Sequence, residues 1–441
     1  MKSRSLLLTF SLGLLIAALL GLSLGASSAQ TQTPTLPPTV TAATLTPTPS
    51  VAPAEALIGP REFPEDINPL TGLPFPDEAA KNRRNLILKI SNYPEVVRPQ
   101  FNLSLADLVW EYEVEGGVTR FAAIYRSHAP EMVGPIRSGR LMDIELVNAY
   151  QALLGYSGSN EWLYNFILNE ADWRWRALSP QLGNNCPMFC RIRWDDRAFE
   201  HTLFANTLAI WQEADRIDVN QATTARGLAF RASPDPSDLT ANDIAIDWYN
   251  DRTDMRWQYN PADQKYYRWE SGLPHLDAAT GQQLATDNVV LIEVWHQDRP
   301  DVYESETGGI ALGHLLEGSG TAWVFRDGLW YKGEWYRNPE ATGVYIRYLG
   351  ADAEGNFTPI ALKPGQTWIQ VVRKQFLGSE NELWSVTVSE ELVEAQATAQ
   401  ARSAELTAVP AATQTQFAEW YGSPTPSQTW TPTPTGTWQY N

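Results

Sequence analysis

The chain has 441 residues, with 51 Asp and Glu against 33 Lys and Arg for a formal net charge of −18, and 43% of its residues are hydrophobic. That hydrophobic share is enough for real cores and sets two domains as the starting expectation. The acidic balance, with no basic run after residue 5, excludes a nucleic-acid partner, because phosphate backbones are held by dense Lys/Arg surfaces.

Residues 1–29 open with Lys2 and Arg4, continue as an apolar run from Leu6 to about Ala26, and end on small residues. This pattern is an export signal with cleavage after Ala29, or an uncleaved N-terminal anchor, since the run is just long enough to span a bilayer. Either way the body is extracytoplasmic, and it meets a membrane only through this segment. Residues 30–58 are rich in Thr, Pro and Ala and read as a disordered, semi-extended stalk reaching at most roughly 90 Å.

Residues 62–231 mix strand and helix patterns and form the first expected domain, of mixed α/β type. "NLILKISN" and "DLVWEYEV" read as strands, and "LMDIELVNAYQALL" and "EWLYNFILNEA" carry helical spacing. In "DLVWEYEVEGGVTRFAAIY" the alternation places Leu108, Trp110, Tyr112 and Val114 on one face and Val109, Glu111, Glu113 and Glu115 on the other. Gly116-Gly117 signals a two-residue turn, which sets Glu113 across from Arg120 and Tyr112 across from Phe121. Glu113 and Arg120 are then a solvated cross-strand ion pair, or they line a cleft. Same-face glutamates stand about 6.5–7 Å apart at Cα, so Glu111, Glu113 or Glu115 can also supply a carboxylate pair for glycoside hydrolysis.

Further on, "GPIRSGRLMDIELV" places a turn at Gly134-Pro135, an N-cap at Ser138, and Arg137 and Arg140 at the start of a helix from about Leu141. Cations there oppose the helix dipole. The compensating anion is a bound carboxylate or phosphate held by arginine forks and free backbone N–H groups, or one of Glu111, Glu113, Glu115 and Asp143 in an internal network. "YSGSNEW" leaves a buried strand for a helix, a common position for ligand contact. It lacks the G-x-S-x-G spacing of a nucleophile, so Ser157 and Ser159 are expected to hydrogen-bond a ligand. Cys186 and Cys190 are the only cysteines; a disulfide is the first reading in an exported chain, and zinc lacks two further ligands. His201, near Arg197 and Glu200, is a structural histidine or a general acid or base meeting the glutamate face. No His-x-x-x-His or His-Glu spacing suggests a catalytic metal, and no cofactor is expected.

The Pro/Asp/Ser break at residues 232–243 is followed at 244–378 by short aromatic and β-branched runs, the mark of a mainly antiparallel β second domain. The fold class expected is therefore α+β, with disordered Thr/Pro-rich segments at both ends. Of 18 tryptophans, Trp295, Trp323, Trp330, Trp335 and Trp368 sit among these strands, as core or as platforms for sugar rings. Residues 390–420 include a thinly apolar stretch compatible with a helix, and residues 421–441 are a Thr/Pro-rich tail in which Trp430 and Trp438 suit a docking motif.

"NPLTGLP", "RPQFNLSLADLVWEYEVEGGVTRFAAIY" and "GPIRSGR" resemble the opening domain of the YerB-like family, and "GSGTAWVFRDGLWYKGEWYR" and "KPGQTWIQVV" its closing domain. The resemblance spans roughly residues 62–378 and implies a two-domain body of unknown function outside a bacterial membrane. Members of that family are often lipoproteins, whereas no cysteine lies near this signal. Where the family tends to have Pro-His-Asn, this chain has Glu200, His201 and Thr202. Together these features lead to an envelope protein that binds an anionic or polar ligand of the cell-wall glycan or peptide class, using Glu113, Arg120, Arg137, Ser138, Arg140, Ser157 and Ser159. The alternatives are a hydrolase using Glu113 or Glu115 with His201, and a scaffold that docks another envelope protein.

Overall fold

The structure is a computed structural model that describes residues 56–192, 197–248, 254–304, 309–340, 342–378 and 385–391. The signal or anchor, nearly all of the stalk and of the 390–420 segment, and the tail with Trp430 and Trp438 lie outside the described residues. Among the described residues, no helix is long and apolar enough to cross a membrane.

The architecture is α+β and is built on a twelve-stranded mixed sheet. Its first half holds β1 (Leu86–Ser91), β2 (Leu108–Val114), β3 (Val118–Tyr125), β4 (Leu153–Gly155) and β5 (Ala177–Leu178) in the order β2-β3-β1-β4-β5. Its other half comes from the later sequence, and the seam is the strand Thr367–Arg373, which runs parallel to β2 on one side and to Asn288–Tyr303 on the other. Residues on the two sides of the Pro/Asp/Ser break therefore share one sheet. A strand at such a seam is covered on both faces, which is why every residue of β2 is buried, glutamates included.

After the short helix α1 (Glu78–Asn82), one face of the sheet carries α2 (Leu141–Tyr150) and α3 (Glu161–Asn169), whose Met142, Leu146 and Leu163 pack with Trp110 and Ile124. The other face carries a smaller antiparallel sheet, including Met255–Asn260 and Lys265–Glu270, and a helix at Thr207–Arg216. There Trp257 and Trp368 pack with Val109 and Phe121. Trp323, Trp335 and Trp368 are buried, Trp330 is half-buried, and Trp295 is 55% exposed.

Candidate functional site

The β2–β3 hairpin differs by one residue from the expected register. Val114 pairs with Val118, so the loop has three residues, Glu115-Gly116-Gly117, with both glycines at positive φ. Two glycines permit either loop length, since each adopts φ > 0 without a Cβ clash. The shift sets Glu113 opposite Thr119, Tyr112 opposite Arg120 and Glu111 opposite Phe121. Glu113 and Arg120 consequently lie on different faces and do not pair, and neither face of β2 is solvated.

Glu113 accepts two hydrogen bonds from Arg373, each 2.8 Å, in a fork that ties β2 to the seam strand. Glu111 is fully buried, 2.9 Å from the Arg268 guanidinium. Glu115, at the turn, reaches the opposite face and meets Arg120 at 3.3 Å. It also accepts from Arg140 Nε at 2.7 Å and pairs with Arg140 Nη2. Burial would push the Glu115 carboxyl up; the Arg140 hydrogen bond and the charges of Arg120 and Arg140 outweigh it and hold the group below the usual range.

The loop that carries Arg137, Ser138 and Arg140 is laced between two neighbours. Arg137 N donates to Lys89 O at 2.9 Å, Ser157 N to Arg137 O at 3.0 Å, and Gly139 N to Gly158 O at 2.9 Å. Arg120 Nη1 donates to Ser138 O at 3.0 Å. The N-cap of α2 is Arg140, not Ser138, and its backbone N–H donates to Asp143 at 2.7 Å. The N–H groups of Arg137, Gly139 and Arg140 are thus already used, which removes them from the expected anion cradle. Asp143, at the third helical position, supplies the favourable charge that the arginines do not.

Three guanidinium groups, those of Arg120, Arg137 and Arg140, share this corner with Glu115 and with Glu304, which lies 3.3 Å from Arg140. Burial pushes the Glu304 carboxyl up and lowers Arg120 to about 9, with Arg140's charge adding to the effect on Arg120. Arg120 and Arg140 are satisfied by these carboxylates. Arg137 is half-buried, its Nε is shielded from solvent, and its guanidinium has no hydrogen-bond partner among the described residues. Burial also lowers its pKa, partly opposed by the charge of Glu200. On its other side stands His201, 4% exposed, whose Nδ1 is likewise buried without a partner. Burial and the Arg137 charge lower the His201 pKa, so the ring is neutral at pH 7. His201 therefore joins Arg137 rather than the glutamate strand.

Of the serines, Ser159 donates its N–H to Gln181 Oε1 at 2.8 Å. Ser157 is half-buried beside Arg137. Cys186 and Cys190 are joined in a disulfide. Among the described residues, no group of three His, Cys, Asp or Glu side chains is placed to hold a metal.

Sequence reasoning missed the layer beneath the arginines. Lys89, fully buried on β1, pairs with Asp143 at 3.3 Å and donates to the Tyr112 hydroxyl, which donates to Asp143 at 2.5 Å. Burial lowers the Lys89 pKa to about 8. The available signal was a lone lysine inside an apolar strand run. Glu304 carried no local signal, because its partner Arg140 is far away in the chain.

Residues 70–220 match the family model for the N-terminal domain of DUF3048, a protein of unknown function, and residues 244–369 match the model for its C-terminal domain. The sequence is 26% identical over 310 residues to "Putative lipoprotein YerB" of Bacillus subtilis (strain 168), across 69% of this chain and 85% of that one. The fold is similar to the crystal structure of the YerB protein from Bacillus subtilis, with a TM-score of 0.58 and 23% identity over 73% of this chain and 99% of the other.

Proposed function

The chain belongs to the two-domain DUF3048 family, and from that premise we propose an extracytoplasmic binding protein of the bacterial envelope whose arginine loop takes an anionic ligand of the cell-wall glycan or peptide class. The export signal at residues 1–29 and the lipoprotein name of the Bacillus relative support the compartment. The observation that carries the ligand reading is Arg137, a half-buried guanidinium with no partner among the described residues, beside His201, whose buried Nδ1 has none among them either. Leaving buried donors unpaired costs about 1–3 kcal/mol each, and a carboxylate or phosphate fits an arginine fork. Arg120 and Arg140 act behind it, held in place by Glu115.

The hydrolase alternative has less support, because each candidate carboxyl is already gripped. Glu113 is forked by Arg373, and Glu115 is held ionised by Arg140, which denies it the proton a general acid needs.

The test is titration calorimetry on the full chain with muropeptides, teichoic-acid fragments and small anions, beside Arg137→Ala. The expected result is binding of at least one of these, weakened about tenfold or more by the substitution. Affinities that are all unchanged in Arg137→Ala, or no binding at all, would sink the proposal.

A further inference from the structure

Far from Arg137 in the chain, a second arginine cluster lies in a cleft of about 850 Å³, within the range of small-molecule sites. Tyr336 and Tyr345 are cross-strand neighbours on the antiparallel strands Leu329–Arg337 and Tyr345–Ala351. Beside them, the Arg347 guanidinium lies 3.5 Å from the Phe357 ring centroid and 4.7 Å from that of Tyr336, and its Nε donates to Glu334 at 2.8 Å. Aromatic faces and a fixed cation therefore line the same cleft.

Further lining comes from the start of the described chain and from the segment around Arg226. These segments are drawn together by backbone: Gly227 N donates to Pro60 O at 2.9 Å, and Ile346 N to Gly227 O at 3.4 Å. Gly343 has φ +96°, and a Cβ there would stand 2.1 Å from Arg226 O. Only glycine allows that approach, so the position of Arg226 is fixed by the fold. Arg61 and Arg226 are exposed, and neither side chain has a hydrogen-bond or ion-pair partner among the described residues. Glu62 is the one carboxylate among the lining residues, against three arginines, in a chain whose net charge is −18.

We propose that this cleft binds an acidic saccharide, a short sugar chain whose ring faces lie on Tyr336 and Tyr345 and whose carboxylate or phosphate groups meet Arg61 and Arg226. Tyrosine faces suit the apolar faces of pyranose rings, and free arginine forks suit planar or tetrahedral anions. The amides of Asn338 and Asn356, also in the lining, can hydrogen-bond sugar hydroxyls. A neutral saccharide would leave the two arginines unused, and a bare anion would leave the tyrosines unused. This site is independent of the arginine loop.

The experiment is titration calorimetry of the full chain with four probes: a galacturonic acid trimer, its neutral methyl ester, a phosphorylated mannose trimer and inorganic phosphate. At least one acidic trimer is expected to bind, with the ester and inorganic phosphate each about tenfold weaker or worse. The Arg61→Ala/Arg226→Ala double variant, whose exposed side chains support nothing in the fold, and Tyr345→Ala are each expected to weaken that binding about tenfold. Arg137→Ala should leave it unchanged. Whichever acidic trimer binds identifies carboxylate or phosphate as the recognised group. The proposal falls if neither acidic trimer binds, if the ester or phosphate alone binds equally well, or if the Arg61/Arg226 variant retains full affinity. Loss in Arg137→Ala without loss in that variant would assign the ligand to the arginine loop and overturn this site.

Discussion

The hairpin β2–β3 has an arginine cluster on each face, and the two differ in closure. On one face Arg268 is fully buried, paired with Glu111 and Glu270, donating Nε to His275 Nδ1 at 3.0 Å, and lying 4.9 Å from the Trp368 ring. His275 in turn faces Gln100 across 2.6 Å, so its Nε2 carries the proton and the ring is neutral. On the other face Arg120 and Arg140 are paired, but Arg137 has no partner among the described residues. Arginines packed against the two faces of one hairpin thus serve as an internal joint where they are fully enclosed, and keep a spare valence where the enclosure stops short.

The comparison breaks most easily at Glu111. Glu111→Ala leaves Arg268 buried beside Glu270 alone, and removing one partner of a buried pair costs about 3–5 kcal/mol. Denaturant unfolding of the full chain should show a loss of that size. A loss below about 1 kcal/mol would mean that the enclosed cluster is not the joint it resembles.

A smaller effect, graded with pH, is expected in the layer under the open cluster. His314 meets the Tyr112 ring edge-on at 5.3 Å, and its ring centroid is 4.4 Å from that of His296. Burial lowers His296 from 6.5 to about 4, and burial with the charges of His296 and Lys89 puts His314 well below its ordinary value. Both therefore bind a proton in the unfolded chain before they do in the folded one. Stability from His296 is present above pH 6.5 and is lost as pH falls toward about 4, and His314 adds a loss in the same direction. Unfolding curves between pH 7 and 4 measure the slope, and His296→Gln should reduce it. An unchanged slope in that variant would place the acid sensitivity elsewhere.

The same hairpin shows what a sequence carries and where it stops. Alternation placed Trp110 and Tyr112 on one face correctly, and the start of α2 at Leu141 was legible from its spacing. The register slipped because Gly116-Gly117 closes a two- or three-residue loop with equal ease. Glu111 and Glu113 looked solvated because "EYEVE" alternates as a half-exposed strand does, yet their partners, Arg268 and Arg373, lie in the later sequence. No local pattern announces that Thr367–Arg373 inserts beside β2. The arginine loop was legible because its residues are close in the chain; its anion Glu304 and its neighbour Lys89 were not.

The least effect on folding is expected at Arg137, and that is what sharpens the contrast. Arg140 holds Glu115 and caps α2 through its backbone, so Arg140→Ala removes a fork and leaves the half-buried Glu115 carboxylate with Arg120 alone. Arg137→Ala removes a guanidinium that no described residue binds. Its unfolding free energy should therefore stay within about 0.5 kcal/mol of the parent, well above that of Arg140→Ala measured under the same conditions. Should Arg137→Ala prove as costly as Arg140→Ala, the open cluster would be an internal joint as well. A stable Arg137→Ala chain that no longer binds an anion would instead separate the two arginines by what they are for: Arg140 shapes the corner, and Arg137 faces what enters it.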